Sequence, residues 1–351
     1  MKKLFSLILA AAMVLSLAAC GQSATPDTAG SGSVPVTTEP EVIEPVSHYP
    51  VTVTDQAGRE VTIEEEPEKL VSGYYISTSL LIALELEDKL VGIEAKADKR
   101  PIYRLSAPEL IELPNVGTAK EFDLEGCAAL EPDLVILPIK LKGAVETLEG
   151  LGIDVLLVNP ENQELLTEMM NLIAAATNTE SQAQALLDFS AEQETYLSQT
   201  LAGVEAPAVY LAGNSSLLST AGDAMYQSDM IRLAGGSNAA AEISDPYWVE
   251  ISYEQLLTWD PAYIILASDA TYTVEDVLAD PNLVNCEAVT SGNVYQMPGK
   301  AEAWDSPVPS GILGSVWLAN VLHPDLFSDA DCADLIDEYY EAFYNFTYSE
   351  N

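Results

Sequence analysis

The chain of 351 residues carries 55 acidic and 14 basic side chains, which gives a formal net charge of -41 at pH 7. Such an excess of negative charge excludes nucleic acids and anionic lipid surfaces as partners held by electrostatic attraction. Roughly 300 residues follow the amino-terminal segments, which is more than one hydrophobic core usually holds, so two lobes are expected.

The amino terminus has the layout of a secretory signal, with a basic start, an apolar run and then small residues. Two lysines precede the apolar residues 4–17, a run too short to span a bilayer comfortably, and Cys20 follows two alanines. This pattern resembles the lipobox of bacterial lipoproteins. The resemblance implies a signal peptide in residues 1–20 and a lipid on Cys20 that anchors the protein to the outer face of the cell membrane; a free structural cysteine is the alternative. Residues 21–50 are rich in Ser, Thr, Gly, Pro and Glu, which predicts a flexible tether.

Residues 51–178 are predicted to form an amino-terminal α/β lobe that opens with a β-hairpin. Residues 51–54 and 60–63 alternate around a turn at residues 55–58. Short apolar runs then alternate with helical patterns, which predicts parallel strands joined by crossover helices. The predicted strands cover residues 70–74, 90–93, 115–117, 134–137 and 155–158, and the predicted helices lie near residues 78–86 and 124–130.

Residues 205–351 repeat the rhythm and are predicted to form a carboxy-terminal α/β lobe. Its expected strands cover residues 208–211 and 263–266, and its expected helices lie near residues 228–234 and 253–257. Between the lobes, residues 179–204 are predicted to form a connecting helix, because residues 180–201 lack Gly and Pro and place apolar side chains at helical intervals. That helix would be about 33 Å long, so large hinge closure is not expected. The predicted fold is therefore α/β, with two Rossmann-like lobes joined by one long helix.

Several motifs between residues 51 and 346 resemble the substrate-binding proteins of ABC importers for iron-siderophore, haem and corrinoid compounds. Residues 125–136, with the sequence EGCAALEPDLVI, have a counterpart in residues 252–257, SYEQLL, which precede an Asp-Pro pair. The hairpin at residues 53–59, Ala-Gly-Gly at residues 234–236, Trp304, and residues 313–319 complete the set in order and spacing. The resemblance implies the class III periplasmic-binding-protein fold, an extracytoplasmic monomer without cofactor or catalytic residues, and delivery of a bound solute to an ABC permease.

One glutamate per lobe matches a docking motif of this family. In the family, a surface glutamate of each lobe is thought to pair with arginines of the permease, and the matching positions are Glu125 and Glu254. Each precedes a predicted strand by a similar interval, so both are expected on helices at one open face. The alternative is that both are ordinary solvated carboxylates.

Basic residues are scarce, and seven of them fall within residues 96–142. They follow the carboxyl ends of three apolar runs, where ligands bind in open parallel sheets. Of these seven, the predicted ligand-binding residues are Lys96, Arg100, Arg104, Lys140 and Lys142, with Lys99 and Lys120 nearby. A cationic cleft favours an anionic metal chelate such as an iron siderophore; haem, a corrinoid, or an oxyanion such as molybdate or tungstate are the alternatives. The same cations could instead neutralise neighbouring carboxylates such as Glu94, Asp98 and Glu121.

Aromatic residues stand at comparable places and could form the walls of a pocket, with core packing as the alternative for each. Rings supply apolar contact area with little loss of rotamer freedom. The predicted wall residues are Tyr74, Tyr75, Tyr103, Trp248 and Trp304, with Tyr226 and Tyr247 at similar positions. Met225 and Lys300 are further candidates on loops of the second lobe.

Other functional classes have less support in the sequence. A binding protein for bare zinc or manganese needs several histidines, whereas the chain has only His48, in the tether, and His323, so no metal site is predicted. A secreted hydrolase is a remote alternative, because neither Ser215 nor Ser310 stands in a Gly-x-Ser-x-Gly turn. A lipoprotein that presents its ligand to a sensor or adhesin would share every feature except the docking glutamates. Cys127, Cys286 and Cys332 lack metal-type spacing, which indicates buried or free thiols and leaves a disulfide pair open.

Overall fold

Two mainly parallel sheets organise residues 48–351, the part of the chain that the computed structural model describes. The predicted signal peptide, Cys20 and all of the tether except its last three residues lie outside this range. His48 Nε2 lies 2.8 Å from the carbonyl oxygen of Ala175, and the Tyr49 hydroxyl donates a 3.2 Å hydrogen bond to the carbonyl oxygen of Ala176. Residues 48–50, assigned to the tether by composition, therefore belong to the folded body.

The folded part opens with the predicted hairpin, formed by β1 (Val51–Thr54) and β2 (Glu60–Ile63). The strands are antiparallel and pair Val51 with Ile63. Buried Asp55 closes the turn, since its Oδ1 accepts hydrogen bonds from the backbone of Ala57 and Arg59 at 3.0 and 2.9 Å. Its Oδ2 accepts from the backbone of Leu157 at 3.2 Å, which fastens the hairpin to the first sheet.

The first lobe alternates strands and helices as predicted. Its elements are β3 (Leu70–Ser72), α1 (Tyr75–Ala83), β4 (Leu90–Ile93), α2 (Pro101–Ser106), α3 (Leu124–Ala129), β5 (Leu134–Pro138), α4 (Val145–Gly150), β6 (Asp154–Val158) and α5 (Gln163–Thr177). The strands run parallel in the order β4-β3-β5-β6, and β5 is buried throughout, as expected for a strand covered on both faces. The predicted strand at residues 115–117 is wrong: Asn115 forms only an isolated bridge with Ile93, and Gly117, at a φ of +85°, starts a turn that pairs it with Phe122.

The predicted long helix is present as α6 (Glu180–Thr200). Its 21 residues correspond to about 31 Å at the usual helical rise. Only Ala183, Leu186, Gln193 and Leu197 are buried on it, so one narrow stripe of the helix packs against the body.

The second lobe is built around β7 and β11, both of which the sequence predicts. Its elements are β7 (Ala208–Ala212), β8 (Ser219–Thr220), α7 (Tyr226–Leu233), β9 (Ser237–Asn238), β10 (Val249–Glu250), α8 (Tyr253–Trp259), β11 (Tyr263–Leu266), α9 (Val274–Leu278), α10 (Glu287–Ser291), β12 (Val294–Gln296), α11 (Ile312–Leu322) and α12 (Asp329–Tyr344). The order is β10-β8-β7-β11-β12, with β9 also beside β7. β7, β9, β11 and β12 are parallel, whereas β8 and β10 extend the sheet in an antiparallel manner.

A single hydrophobic cluster runs through both lobes. It includes Leu70 and Ile136 of the first sheet together with Val209 and Ile265 of the second. Separate clusters fill the outer layer of each lobe. Because close-packed interiors resist continuous deformation, a shared core limits the movement of one lobe against the other. No helix in residues 48–351 is long and apolar enough to cross a membrane.

Candidate ligand-binding site

A cleft of about 540 Å³ lies between the two sheets, at the ends of their parallel strands. Tyr74 and Tyr75 follow β3, Lys140 follows β5, and Glu161 follows β6. The second lobe completes the lining with residues after β7, β8 and β12 and with the segment before β10. Among them are Asn214, Ser215, Met225, Tyr226, Tyr247, Trp248, Asp305 and Ser306. Carboxyl ends of strands from both lobes therefore face one cleft, as in other open α/β sheets that bind ligands.

Local packing places the two tyrosines of the first lobe. Gly73 lies so close to β5 that a Cβ there would be 2.6 Å from Leu137 Cδ2, so the chain can leave β3 at this point only with glycine or with a shift of that leucine. The Ser72 hydroxyl donates a 3.0 Å hydrogen bond to the carbonyl oxygen of Tyr74, and the rings of Tyr74 and Tyr75 meet edge to face at 5.3 Å. These contacts orient both rings at the wall of the cleft.

Arg100 is the most distinctive cation of the site. Its guanidinium carbon lies 4.0 Å from the centre of the Tyr75 ring, in cation–π geometry. Arg100 and Tyr75 also line a smaller cavity of about 100 Å³ with Lys99, Asp269 and Glu302. Tyr75 borders both cavities. Arg100 forms no ion pair with any carboxylate in the described part of the chain, so its donors are available to a ligand.

Three buried carboxyl groups surround this cation and the cleft. Glu94, Glu302 and Asp305 are only 6%, 8% and 4% exposed. Neutral hydroxyls donate hydrogen bonds to all three: Tyr103 and Thr78, each at 2.7 Å from Glu94, Ser310 at 2.6 Å from Glu302, and Ser268 at 2.6 Å from Asp305. Burial raises the pKa of all three groups, although these hydrogen bonds oppose it. A raised pKa favours the neutral carboxyl, which weakens its cancellation of the Arg100 charge.

The second lobe contributes an aromatic wall opposite Lys140. Trp248 is 38% exposed, and a Cβ on Gly213 would lie 3.1 Å from its ring, so glycine at that position lets the indole approach the chain after β7. Tyr247 is 59% exposed, and Lys140 Nζ lies 5.8 Å from the centre of its ring. Lys140 therefore reaches across the cleft toward the second lobe.

Other predicted site residues lie outside both cavities. Lys96, Arg104 and Lys142 are exposed, as is Lys120. The reason is local backbone geometry, since Lys96 adopts a left-handed conformation with a φ of +72°, and Arg104 donates a 3.1 Å hydrogen bond to the carbonyl oxygen of Asp98 on the surface. Of the seven clustered cations, those that line a cavity are Lys99, Arg100 and Lys140.

Trp304 was predicted to form part of the pocket wall, but it lies in the core instead. It is completely buried, its Nε1 donates a 2.9 Å hydrogen bond to the Tyr340 hydroxyl, and its ring packs on Tyr348 at 5.5 Å. Tyr103 is also buried, but it borders the smaller cavity, and its hydroxyl donates a hydrogen bond to Glu94. Lys300 is turned toward the carboxy terminus, where it donates a 3.0 Å hydrogen bond to the carbonyl oxygen of Tyr348.

Sequence reasoning missed polar residues that line the cleft. Glu161, Asn214, Asp305 and Ser306 were not among the predicted ligand-binding residues. The first two lie within three residues of the carboxyl ends of β6 and β7, so the rule that selected Lys140 could have found them. Asp305 and Ser306 lie on a long irregular connection after β12, where the sequence carries no comparable signal.

The two predicted docking glutamates occupy equivalent places in the two lobes. Glu125 lies in the first turn of α3, which precedes β5, and Glu254 lies in the first turn of α8, which precedes β11. Both side chains are exposed. Asp123 and Ser252 cap the two helices by accepting hydrogen bonds from the backbone. A helix that precedes a parallel strand runs opposite to it, so its first turn lies toward the edge where the cleft opens.

The cysteines and histidines add no further candidate. Cys127, Cys286 and Cys332 are buried free thiols, and burial raises the pKa of Cys127 and of Cys332 to about 11. Within residues 48–351, no three His, Cys, Asp or Glu side chains are grouped so as to hold a metal ion.

Two lobes that share a core, a long helix beside them, and a cleft lined by strand ends define a solute-binding protein with the class III fold. A solved structure of the molybdate-binding protein MolA of Haemophilus influenzae, with molybdate bound, matches with a TM-score of 0.75 over 85% of this chain and 99% of that chain. By sequence, MolA is 26% identical over 326 residues, which cover 84% of this chain and 91% of MolA.

The family model described as periplasmic binding protein matches residues 70–301, more than half of the chain, so the chain belongs to this family. A periplasmic solute binding protein of Veillonella parvula is 27% identical, with a TM-score of 0.73 over 85% of this chain and 93% of that chain. An ABC transporter substrate-binding lipoprotein of Bacillus subtilis is 26% identical over 292 residues, covering 80% of this chain and 88% of that protein. The chain is therefore the extracytoplasmic solute-binding component of an ABC importer.

Proposed function

We propose that this component captures an anionic metal chelate of the iron-siderophore type between its lobes and hands it to the permease. The observation that carries the proposal is Arg100, a cation without an ion-pair partner in residues 48–351, stacked on Tyr75 where the two cavities meet. Lys140 supplies a second positive charge from the same lobe. An anionic group bound to Arg100 would gain charge-assisted hydrogen bonds in a partly desolvated place.

The size and lining of the larger cavity favour a chelate over a bare ion. Pockets for organic ligands usually measure a few hundred Å³ or more, and this cleft of about 540 Å³ falls in that range. Tyr74, Tyr75, Tyr247 and Trp248 offer flat apolar surfaces, while Asn214 and Ser306 offer hydrogen bonds. The same features would accept the propionates and ring of haem or a corrinoid.

A second candidate ligand is a small oxyanion such as molybdate or tungstate. The similarity to MolA favours it, because the match extends over most of both chains. The cavity of about 100 Å³ beside Lys99 and Arg100 would suit an anion of that kind, with the larger cleft left to solvent.

A binding panel separates these candidates. Intrinsic fluorescence should be quenched saturably by a ferric siderophore, because Trp248 lines the cleft and the ligand would lie against its ring. In Trp248→Phe the quenching should fall while calorimetry still detects binding. Haem, cobalamin, molybdate and tungstate complete the panel. Binding confined to the two oxyanions would contradict the chelate proposal and support the second candidate.

Delivery to the permease is proposed to use Glu125 and Glu254, one at the cleft edge of each lobe. Reversing both charges to lysine should abolish ligand uptake by cells while ligand affinity of the isolated protein changes by less than about twofold, because rim charges act on docking to the partner. Charge reversal of exposed Glu168 and Asp334, one in each lobe and on other helices, is the matched control. Unchanged uptake in the first double variant would contradict this role.

The lipid anchor on Cys20 is likewise proposed. Its support is the lipobox-like sequence before Cys20 and the description of the Bacillus subtilis relative as a lipoprotein. Metabolic labelling with a fatty-acid analogue should mark the wild-type protein and leave Cys20→Ser unlabelled. Equal labelling of both would contradict it.

A further inference from the structure

A separate pocket of about 320 Å³ lies between the connecting helix α6 and the two carboxy-terminal helices α11 and α12. It shares no lining residue with either cavity of the interlobe site. Its volume is at the lower end of the range for small organic ligands. We call it the helix pocket, and its lining residues are Glu192, Gln193, Tyr196, Leu197, Val316, Asn320, Phe327, Ser328, Asp331, Cys332 and Leu335.

The floor and one wall of the helix pocket are apolar. Leu197, Val316 and Cys332 are 0%, 7% and 8% exposed. Because burial raises the pKa of the Cys332 thiol to about 11, this side chain is neutral at physiological pH. Tyr196 is 52% exposed and meets Phe327 edge to face, with their ring centres 6.0 Å apart. Two aromatic rings at the mouth of an apolar pocket can receive either an organic body or a cation against a ring face.

The charge of the helix pocket is wholly negative. Glu192 and Asp331 are exposed at its rim, and neither forms an ion pair within residues 48–351. The lining contains no lysine, arginine or histidine. An anionic ligand would meet two uncompensated carboxylates there, whereas a cation would gain from both.

Gln193 offers a neutral polar group to a ligand in the helix pocket. Its side chain is 8% exposed and lines the pocket, and it makes no hydrogen bond to any other residue of the described part of the chain. Because its amide group has no partner within residues 48–351, it is free to exchange a bond to solvent for one to a ligand. Its carbonyl oxygen can accept a hydrogen bond from a ligand N–H, which a quaternary ammonium ion does not have.

We propose that the helix pocket binds a small organic ammonium ion that carries N–H donors and an aromatic or aliphatic body. The body lies on Leu197 and Val316 beside the contacting rings of Tyr196 and Phe327, and the ammonium group faces Gln193, Glu192 and Asp331. Since the pocket joins α6 to α11 and α12 away from the interlobe cleft, this ligand binds independently of the solute delivered to the permease.

The test uses 2-phenylethylamine, which is protonated at neutral pH, with 2-phenylethanol and phenylacetate as neutral and anionic probes of similar size. Titration calorimetry on the full folded protein should give one saturable site for the amine. The alcohol should bind at least about fivefold more weakly, as expected for losing one cation–π contact, and the carboxylate should not bind. Equal affinity of the alcohol and the amine, or no saturable binding of the amine, would overturn the proposal.

Protein variants locate the site. Asp331→Asn should weaken binding of the amine about fivefold, whereas Asp334→Asn removes the same charge one turn further along α12, outside the pocket, and should change affinity by less than about twofold. Gln193→Leu keeps a similar volume and should weaken the amine more than the alcohol. Thermal unfolding checks that each variant is folded. Equal loss in the two aspartate variants would mean that the amine senses only the overall negative charge and would refute the proposed site.

Discussion

Replacing Arg100 with glutamine removes the guanidinium that stacks on Tyr75 at 4.0 Å while keeping an amide of similar reach. Arg100 has no carboxylate partner in residues 48–351, so the change breaks no ion pair there, and its effect on folding should be small. A bound anion would lose a charge-assisted hydrogen bond, worth about 1.5 to 3 kcal/mol. We therefore expect ligand affinity to fall by about 10-fold to 100-fold.

Arg104→Gln is the matched control for this experiment. Arg104 carries the same charge on α2, four positions further on, but it is exposed and lies outside both cavities. Titration calorimetry with the tightest ligand of the panel should show an affinity within about twofold of wild type for Arg104→Gln, because exposed charges are screened by salt. Equal loss in both variants would mean that the ligand senses overall charge and would refute the assignment of Arg100 as its contact.

The remaining predictions concern stability. Because burial raises the pKa of Glu302 above its ordinary 4.5, its stabilising contribution is complete below that value and is lost as the pH rises through the folded-state pKa. Chemical denaturation from pH 4.5 to 8 should therefore show Glu302→Gln gaining stability relative to wild type as the pH rises, by about 1.4 kcal/mol for each unit by which the pKa is raised. The exposed control Glu338→Gln should show a much weaker trend, and parallel curves for the two variants would contradict the reasoning. Trp304→Phe should lower the free energy of unfolding by about 2 kcal/mol, through loss of packing and of the bond to Tyr340, without changing ligand affinity. Trp248→Phe should instead weaken ligand binding and leave the free energy of unfolding unchanged. If Trp304→Phe were fully stable and bound the ligand more weakly, Trp304 would belong to the binding site after all.

The fold could be predicted wherever the signal in the sequence is local. The apolar run at β4 and the two hairpin strands match the predicted bounds, and α6 follows from a stretch without Gly or Pro. The two-residue strands β8, β9 and β10 were not predicted, because their pairing depends on distant partners rather than on the pattern of their own side chains. The rhythm of elements suggested a strand at residues 115–117, but only an isolated bridge between Asn115 and Ile93 forms, and the chain turns at Gly117. The exact lobe boundaries remain a prediction, since one hydrophobic cluster extends through both lobes.

The site could be predicted only as far as strand ends determine it. Tyr74, Tyr75 and Lys140 lie two or three residues after the ends of strands, and all three line the cleft. Lys96 follows β4 at the same interval as Tyr75 follows β3, but its left-handed backbone leaves the side chain outside the cavities, and Arg104 lies further on, in α2. Trp304 shows the opposite error, because a large ring near a cleft is equally suited to the core that supports it. The sequence therefore predicts which loops border the cleft, whereas tertiary packing determines which side chains of those loops face it.

Net charge and local charge act in opposite directions on an anionic solute. A body of charge -41 repels such a solute over distances up to the screening length of about 8 Å in physiological salt. Near the cavities, Arg100 and Lys140 form no ion pair within residues 48–351, whereas Lys99 Nζ lies 3.1 Å from Asp98 Oδ2. The less buried carboxylates of the lining are Glu161 and Asp269. Burial raises the pKa of Glu302 and Asp305, which favours their neutral form and so lessens their repulsion of an anion. Recognition of an anion by this protein must therefore be a short-range event, carried by Arg100 and Lys140 at the cavities.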